Sequence, residues 1–209
     1  GNERGGNAWH GADGPLNVMD QRWPNAGSRA FVEAAGRLQL PLTDDFNKPD
    51  NSGFGIFQVT QKAGERWSAA RAYVEPLRGK ANFDIRTDAL VEKILIEDGR
   101  AVGVQIRRGG QSETLRASGG VVLSAGAFNS PQILMLSGIG PAAHLAEHGI
   151  ETLVDRGAVG ADLQDHIDYV TSYQTAWNGF FGSSLAGTFR MAGAVLEHRL
   201  KRTGILTTP

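Results

Sequence analysis

Cysteine is absent from the 209 residues, so disulfides and thiolate metal centres are excluded, although the redox compartment is not fixed by this. No apolar run approaches the roughly 20 residues a membrane helix needs, and membrane association is not evident. A surplus of one charge is missing as well. The 21 Lys and Arg face 22 Asp and Glu, a formal net charge of −1, which gives no reason to expect a nucleic acid or an anionic surface as partner. The small basic clusters, Arg107-Arg108 and Arg199 to Arg202, read as a solvated turn and a helix end. Internal repeats, low-complexity tracts, G-x-S-x-G and the Walker loop are all missing. Localisation is left open: soluble, cytoplasmic and membrane-peripheral settings are all compatible with this composition.

What is present is a mixed pattern with 28 scattered glycines. Residues 28–38 carry apolar side chains at 31, 34, 35 and 38, a helical spacing closed by Pro41. "FGIFQVTQ" reads as a strand, and Ser68 to Val74 as a short helix before Pro76. The β-rich runs "ALVEKILIE" and "AVGVQIRR" flank Asp98-Gly99, a strong hairpin signal, and Gly109-Gly110 turns into a third strand, "SETLRA". Pro141 and Gly149 bracket a short helix, "ETLV" is a brief strand, and "IDYVTSYQT" alternates like a half-buried one. Leu185, Phe189, Ala192, Leu196 and Leu200 line one face of a last helix.

"VVLSAGAFNSPQILMLSGIG" combines a buried strand, a turn of small residues and a helix start. Ser130-Pro131 predicts an N-cap and first helical residue, and Gly138 a left-handed stop. Such a turn either packs tightly with no ligand or lets a flat, phosphorylated ligand approach free amides. "GIGPAA" has dinucleotide-motif spacing but follows a helix and contains Pro141, so it reads as a capping glycine before a helix-starting proline. "HLAEH" matches H-x-x-E-H, making His144 and His148 a zinc-hydrolase alternative, opposed by the shortness of the helix. In "LQDHID", His166 lies beside carboxylates that can set its tautomer, or else the stretch is a hydrogen-bonded turn.

Taken in order, "HGADGPLNV", "PLTDDFNKPDNSGFGIFQVTQKAGERWSAARAYV", "TDALVEKIL", "AVGV", "AGAFNSPQILMLSGIGP" and "VGADLQDH" resemble the glucose–methanol–choline (GMC) family of flavin-dependent oxidoreductases. The likeness is strongest to its choline-dehydrogenase and alcohol-dehydrogenase branch. It runs closely from Trp9 to about Asp168. The resemblance implies an α/β (mixed α+β) fold, a partial FAD-binding Rossmann-like domain interwoven with an antiparallel-sheet substrate domain. Residues 1–63 and 167–209 would be substrate-domain pieces and 64–166 the flavin-domain piece.

The same resemblance implies FAD as cofactor and a small-molecule alcohol, choline or a primary alcohol, as substrate. Oxygen or a quinone would reoxidise the flavin. Ala125, Gly126 and Ser130 match positions packed against the adenosine half of FAD, and Val91 the valine whose backbone reads adenine. His166 matches a histidine on the active-site side. Asp168 falls where choline-specific members carry a carboxylate. Departures accompany the match. The family's glycine fingerprint for the pyrophosphate, its flavin-ring segment and its proton-accepting histidine are not found in these residues, and Ala161-Asp162 replaces the more usual acidic residue and Asn. The expectation is a central fragment, silent in catalysis and poorly soluble or loosely folded by itself, with no metal site. A non-catalytic binding or structural module that keeps part of the fold is the reading from another class.

Overall fold

The structure is a computed structural model, and it describes residues 1–170 and 185–207. In chain order it contains α1 (Ala26–Arg37), β1 (Gln61–Lys62), β2 (Glu65–Arg66), a π-helical turn Ala70–Val74 followed by a 3-10 turn Glu75–Leu77, β3 (Leu90–Glu97), β4 (Arg100–Arg108), β5 (Gln111–Arg116), α2 (Gly126–Leu136), β6 (Ile139–Gly140), α3 (Ala142–Glu147), β7 (Val154–Asp155), α4 (Leu185–Lys201) and a last 3-10 turn, Ile205–Thr207. The chain forms two compact units. One comprises Gly1–Asp84 and Ser172–Pro209, the other Ile85–Thr171.

The second unit is built on β3-β4-β5, an antiparallel meander. Asp98 and Gly99 both take positive φ, 49° and 74°, the geometry of a tight two-residue hairpin. Gly109 and Gly110 repeat it at 56° and 82°. The expected three strands are therefore observed. Gly103 is dictated by packing: a Cβ there would lie 2.2 Å from the Leu115 carbonyl oxygen across the β4–β5 pair. Ile94, Ile106, Ile133 and Leu145 are the buried apolar side chains of this unit. Ser137 ties α2 to β3: its buried hydroxyl donates to Ile133 O at 2.6 Å and accepts from Ile94 N–H at 2.8 Å. Gly138, at φ 81°, ends α2 as expected. Its carbonyl accepts from Leu153 and Val154, which starts the parallel pair β6–β7.

Four expectations are corrected here. Val121 to Leu123 form no strand; no described residue supplies a ladder partner, and Val122 is almost fully exposed. Residues 167–170 are exposed and belong to no strand, so "IDYVTSYQT" is not a half-buried strand over that part, and its remainder lies outside the described residues. "FGIFQVTQ" is held by isolated bridges, Leu42 to Phe54 and Met19 to Val59, before the two-residue β1. The expected helix at 68–74 is a π turn that tightens into a 3-10 turn at Pro76.

The first unit has less regular structure. Asn25 caps α1, its side chain accepting from Gly27 N–H. Much of the rest is held by side chains. Asn2 and Gln58 exchange amide hydrogen bonds, Gln58 also donates to Asp20, and Arg4 pairs with Asp20. The C-terminal segment docks on the β1–β2 hairpin: His198 bonds Gly64 O, Arg202 pairs with Glu65, and Gln61 donates to Thr207 O. Among the described residues its buried apolar side chains are few: Met19, Ala35, Ala72 and Ala194. The predicted apolar face of α4 exists, but Leu185, Phe189, Leu196 and Leu200 on it are exposed.

Candidate functional site

The turn into α2 differs from its sequence reading in one respect. The helix begins at Gly126, with Ala125 as N-cap, so Ser130 is not the cap and Pro131 sits inside the helix. The cause is Gly126, which takes φ 86° and starts the turn five residues earlier. Ser130 reaches back from the second turn, its Oγ accepting from Ala125 N–H at 3.1 Å. Pro131 removes a donor that would have met the Ala127 carbonyl. Among the described residues, apart from its chain neighbours and its own helix backbone, nothing lies within 4 Å of a Cβ placed on Gly126. The glycine thus answers a backbone requirement and leaves open space beside the first helical amides, which have no intrahelical acceptors.

Val91 occupies a second open backbone. Ala117 N–H bonds Val102 O, so even-numbered β4 residues direct their polar groups toward β5 and odd-numbered ones toward β3. Val91 is opposite Ile106, and a bulge separates it from Lys93. That register turns the Val91 N–H and C=O away from β4, to the edge of the sheet from which Ile94 N–H reaches Ser137. A donor and an acceptor stand side by side there.

His166 and Asp168 are exposed. The backbone N–H of His166 donates to Asp165 Oδ1 at 2.8 Å, a turn contact, and neither carboxylate hydrogen-bonds the imidazole ring. His144 and His148 meet edge to face, ring centroids 4.7 Å apart, on a six-residue helix, and His144 Nδ1 is 3.7 Å from Glu147. Among the described residues no group of three metal-ligating side chains gathers around them.

Two features of the first unit carried no motif. His10 Nε2 lies 2.6 Å from Asp45 Oδ2, both side chains largely buried. The His10 hydrogen bond, reinforced by Asn47 N–H, holds the Asp45 carboxyl below the ordinary carboxylate range. The second is a cavity of about 1030 Å³ where residues 57–71 meet His198 and Leu206. Glu65 at its rim is held below its usual value, first by the Arg71 hydrogen bond and then by the Arg202 charge. His198 donates through Nε2 to the Gly64 carbonyl, which can only accept, so Nδ1 is the ring's free position. Residues far apart in sequence build both features, and no local spacing announces them.

A family model described as GMC oxidoreductase matches residues 3–168. The chain belongs to the GMC oxidoreductase family. The GMC match includes Val91, the α2 turn, His166 and Asp168, and stops before α4. Oxygen-dependent choline dehydrogenase of Rhizobium etli is 48% identical over 165 residues, 79% of this chain and 30% of that protein. Alcohol dehydrogenase [acceptor] of Pseudomonas putida is 41% identical over 204 residues, 96% of this chain and 37% of the relative. The chain thus spans about a third of the length of these relatives. Among solved structures, an FAD-dependent oxidoreductase from Chaetomium thermophilum matches with a TM-score of 0.79 at 28% identity, covering 95% of this chain and 35% of that one. Pyridoxine 4-oxidase from Mesorbium loti matches with a TM-score of 0.66 at 31% identity, covering 74% and 30%. The mixed helix-and-sheet fold is the one shared by these GMC and FAD-dependent enzymes.

Proposed function

We propose that this GMC oxidoreductase, as a full-length protein, oxidises an alcohol, choline or a primary alcohol, with FAD as cofactor. The observation that carries the reading is the α2 turn. Gly126 leaves open space beside unsatisfied first-turn amides, and that geometry suits the approach of an anionic, flat ligand. FAD, when bound, supplies the hydride acceptor. This chain's residues act on its adenosine half. Ala125 and Gly126 let the ligand near the backbone. Ser130 fixes the turn through the Ala125 amide. Val91 offers N–H and C=O to a base edge that carries the complementary acceptor and donor.

In this reading residues 64–166 belong to the flavin-binding domain and residues 1–63 and 167–209 to the substrate domain. Asp168 and His166 lie on the substrate side, Asp168 as a carboxylate available to a substrate cation and His166 as a secondary proton acceptor. The relatives' names point to two ways of disposing of electrons, oxygen in one and a separate acceptor in the other. Oxygen uptake measured against quinone and dye reduction decides between them.

The test is expression of the full-length chain, quantification of bound FAD, and alcohol-dependent reduction of an artificial acceptor. Gly126→Val should lose FAD while the far-ultraviolet spectrum is kept. Retention of FAD by that variant would remove the turn from the site. Residues 1–209 alone, given excess FAD and alcohols, should reduce no dye.

A further inference from the structure

Val91 and the α2 turn belong to one compact unit but to different elements, β3 and α2. A ligand that meets both needs the two held at a fixed spacing. α2 is 11 residues long, about 16 Å, and the turn is at its N-terminal end. Its C-terminal end is anchored. The Gly138 carbonyl accepts from Leu153 and Val154, and a Cβ at Gly138 would lie 2.7 Å from the Glu151 carbonyl oxygen. β3 is fixed less completely by its own sheet. Its pairing with β4 shifts register between Val91 and Lys93 and again between Leu95 and Ile96. Each irregularity lets the strand bend and twist, so the β4 ladder alone does not set the outer edge of this stretch. Ile94 lies between the two shifts, and its N–H points out to that edge, where the Ser137 hydroxyl accepts it at 2.8 Å. The same hydroxyl donates to Ile133 O at 2.6 Å, which sets its direction. Ile94, Ile133 and Ser137 are all buried, and water is kept from replacing either bond. Val91 presents its N–H and C=O on the same edge, three residues or roughly 10 Å along the strand.

Resting on the reading above that sets adenine against Val91, we propose that Ser137 is a positioning residue for FAD binding. Its hydroxyl fixes the β3 edge against the anchored end of α2 and so aligns the Val91 N–H and C=O with the adenine edge. Adenine offers an acceptor nitrogen beside an amino donor, the complement of that pair. Hypoxanthine carries a carbonyl oxygen where adenine carries the amino group. That oxygen would face the Val91 C=O, acceptor against acceptor. The stringency of base choice therefore reports how firmly β3 is held.

The test titrates the full-length protein, freed of flavin, with FAD and with the dinucleotide in which hypoxanthine replaces adenine, and reads the two dissociation constants. The readout is affinity, so it stands whether or not an alcohol is oxidised. The unsubstituted protein should favour FAD about tenfold or more. Equal affinities would take adenine away from Val91 and overturn the proposal, while alcohol oxidation is judged separately by the dye assay. Ser137→Ala should lower the preference about fivefold, with faster amide exchange at Ile94. Leu145→Ala opens a cavity at a fully buried position of α3 in the same unit, and should lower stability with the preference unchanged. A preference kept in full by Ser137→Ala, or lost equally in Leu145→Ala, would leave Ser137 a purely structural role and overturn the proposal. Ser137→Cys keeps a weaker acceptor in nearly the same volume and should lower the preference about twofold. It decides the matter if the alanine variant does not fold: an undiminished preference in the cysteine variant overturns the proposal.

Discussion

Residues 90–116 and residues 1–84 solve the same problem by different means. In the first stretch three strands joined by two-residue turns satisfy one another's backbone, and Ile94 and Ile106 supply the buried face. In the second, one twelve-residue helix and a two-residue hairpin leave most of the backbone to be satisfied by loops, single bridges and side chains such as Asn2, Asn25, Gln58 and Asp45. Its buried apolar groups are mainly alanines, while Trp9, Phe31 and Phe57 remain more than half exposed. Local pairing needs only that neighbouring residues agree. A polar loop scaffold needs partners 40 or 56 positions away to arrive in place, as in Arg4 to Asp44 and Asn2 to Gln58. The second kind of region should therefore answer to charge and the first to steric fit.

The largest effect is expected where the meander is tightest. Gly103→Val puts side-chain atoms into the Leu115 carbonyl and should cost about 3 kcal/mol or more, read as a fall in the denaturant midpoint. A variant of unchanged stability would mean that the β4–β5 pair yields, and the contrast between the two regions would weaken. Ser137→Ala comes next. It leaves the buried Ile94 N–H without its acceptor, at about 2 kcal/mol, and amide exchange at Ile94 should accelerate with it.

Charge dependence should mark the other region. Asp20 and Asp45 are held below the ordinary carboxylate value, Asp20 chiefly by Arg4 and Asp45 chiefly by His10. A depressed folded-state value means that the unfolded chain binds the proton first. The stabilisation is complete above the ordinary Asp value of about 3.9 and is lost as pH falls through the lowered values. Exchange protection of amides in residues 1–84 should decline across that acidic window, and it should decline less in Asp45→Asn. An identical decline in the variant would remove Asp45 from the account. The smallest effect belongs to Ser130→Ala, which removes the acceptor of a half-buried amide and should cost about 1 kcal/mol, with a modest loss of FAD affinity in the full-length protein.

The same contrast decides what the sequence could announce. Asp98-Gly99 and Gly109-Gly110 name their turns because a two-residue connection admits few residue types, and the meander followed from them. Ser130-Pro131 misled because its capping chemistry is real but is displaced: Gly126 at positive φ starts the helix before the serine, and the hydroxyl is spent on the preceding amide. Val121 to Leu123 carry strand propensity without a described partner, and propensity alone makes no ladder. At the candidate site, Val91 and the α2 turn were legible through family likeness, and the structure adds the backbone directions that suit a ligand. The Glu65–Arg71–Arg202 cluster and the cavity beside it left no local trace, because their members are drawn from both ends of the chain.

The hydrogen bond from Gln61 to the Thr207 carbonyl spans 146 positions. At ribosomal speeds of about 5–20 residues per second, Gln61 waits on the order of ten seconds before its acceptor is synthesised. During that interval the intervening meander, with turns that close over two residues, can fold as it leaves the exit tunnel. The earlier loops cannot complete their contacts until α4 has followed. The order of translation thus lets the meander settle before the loops around Gln61, although those loops are made first.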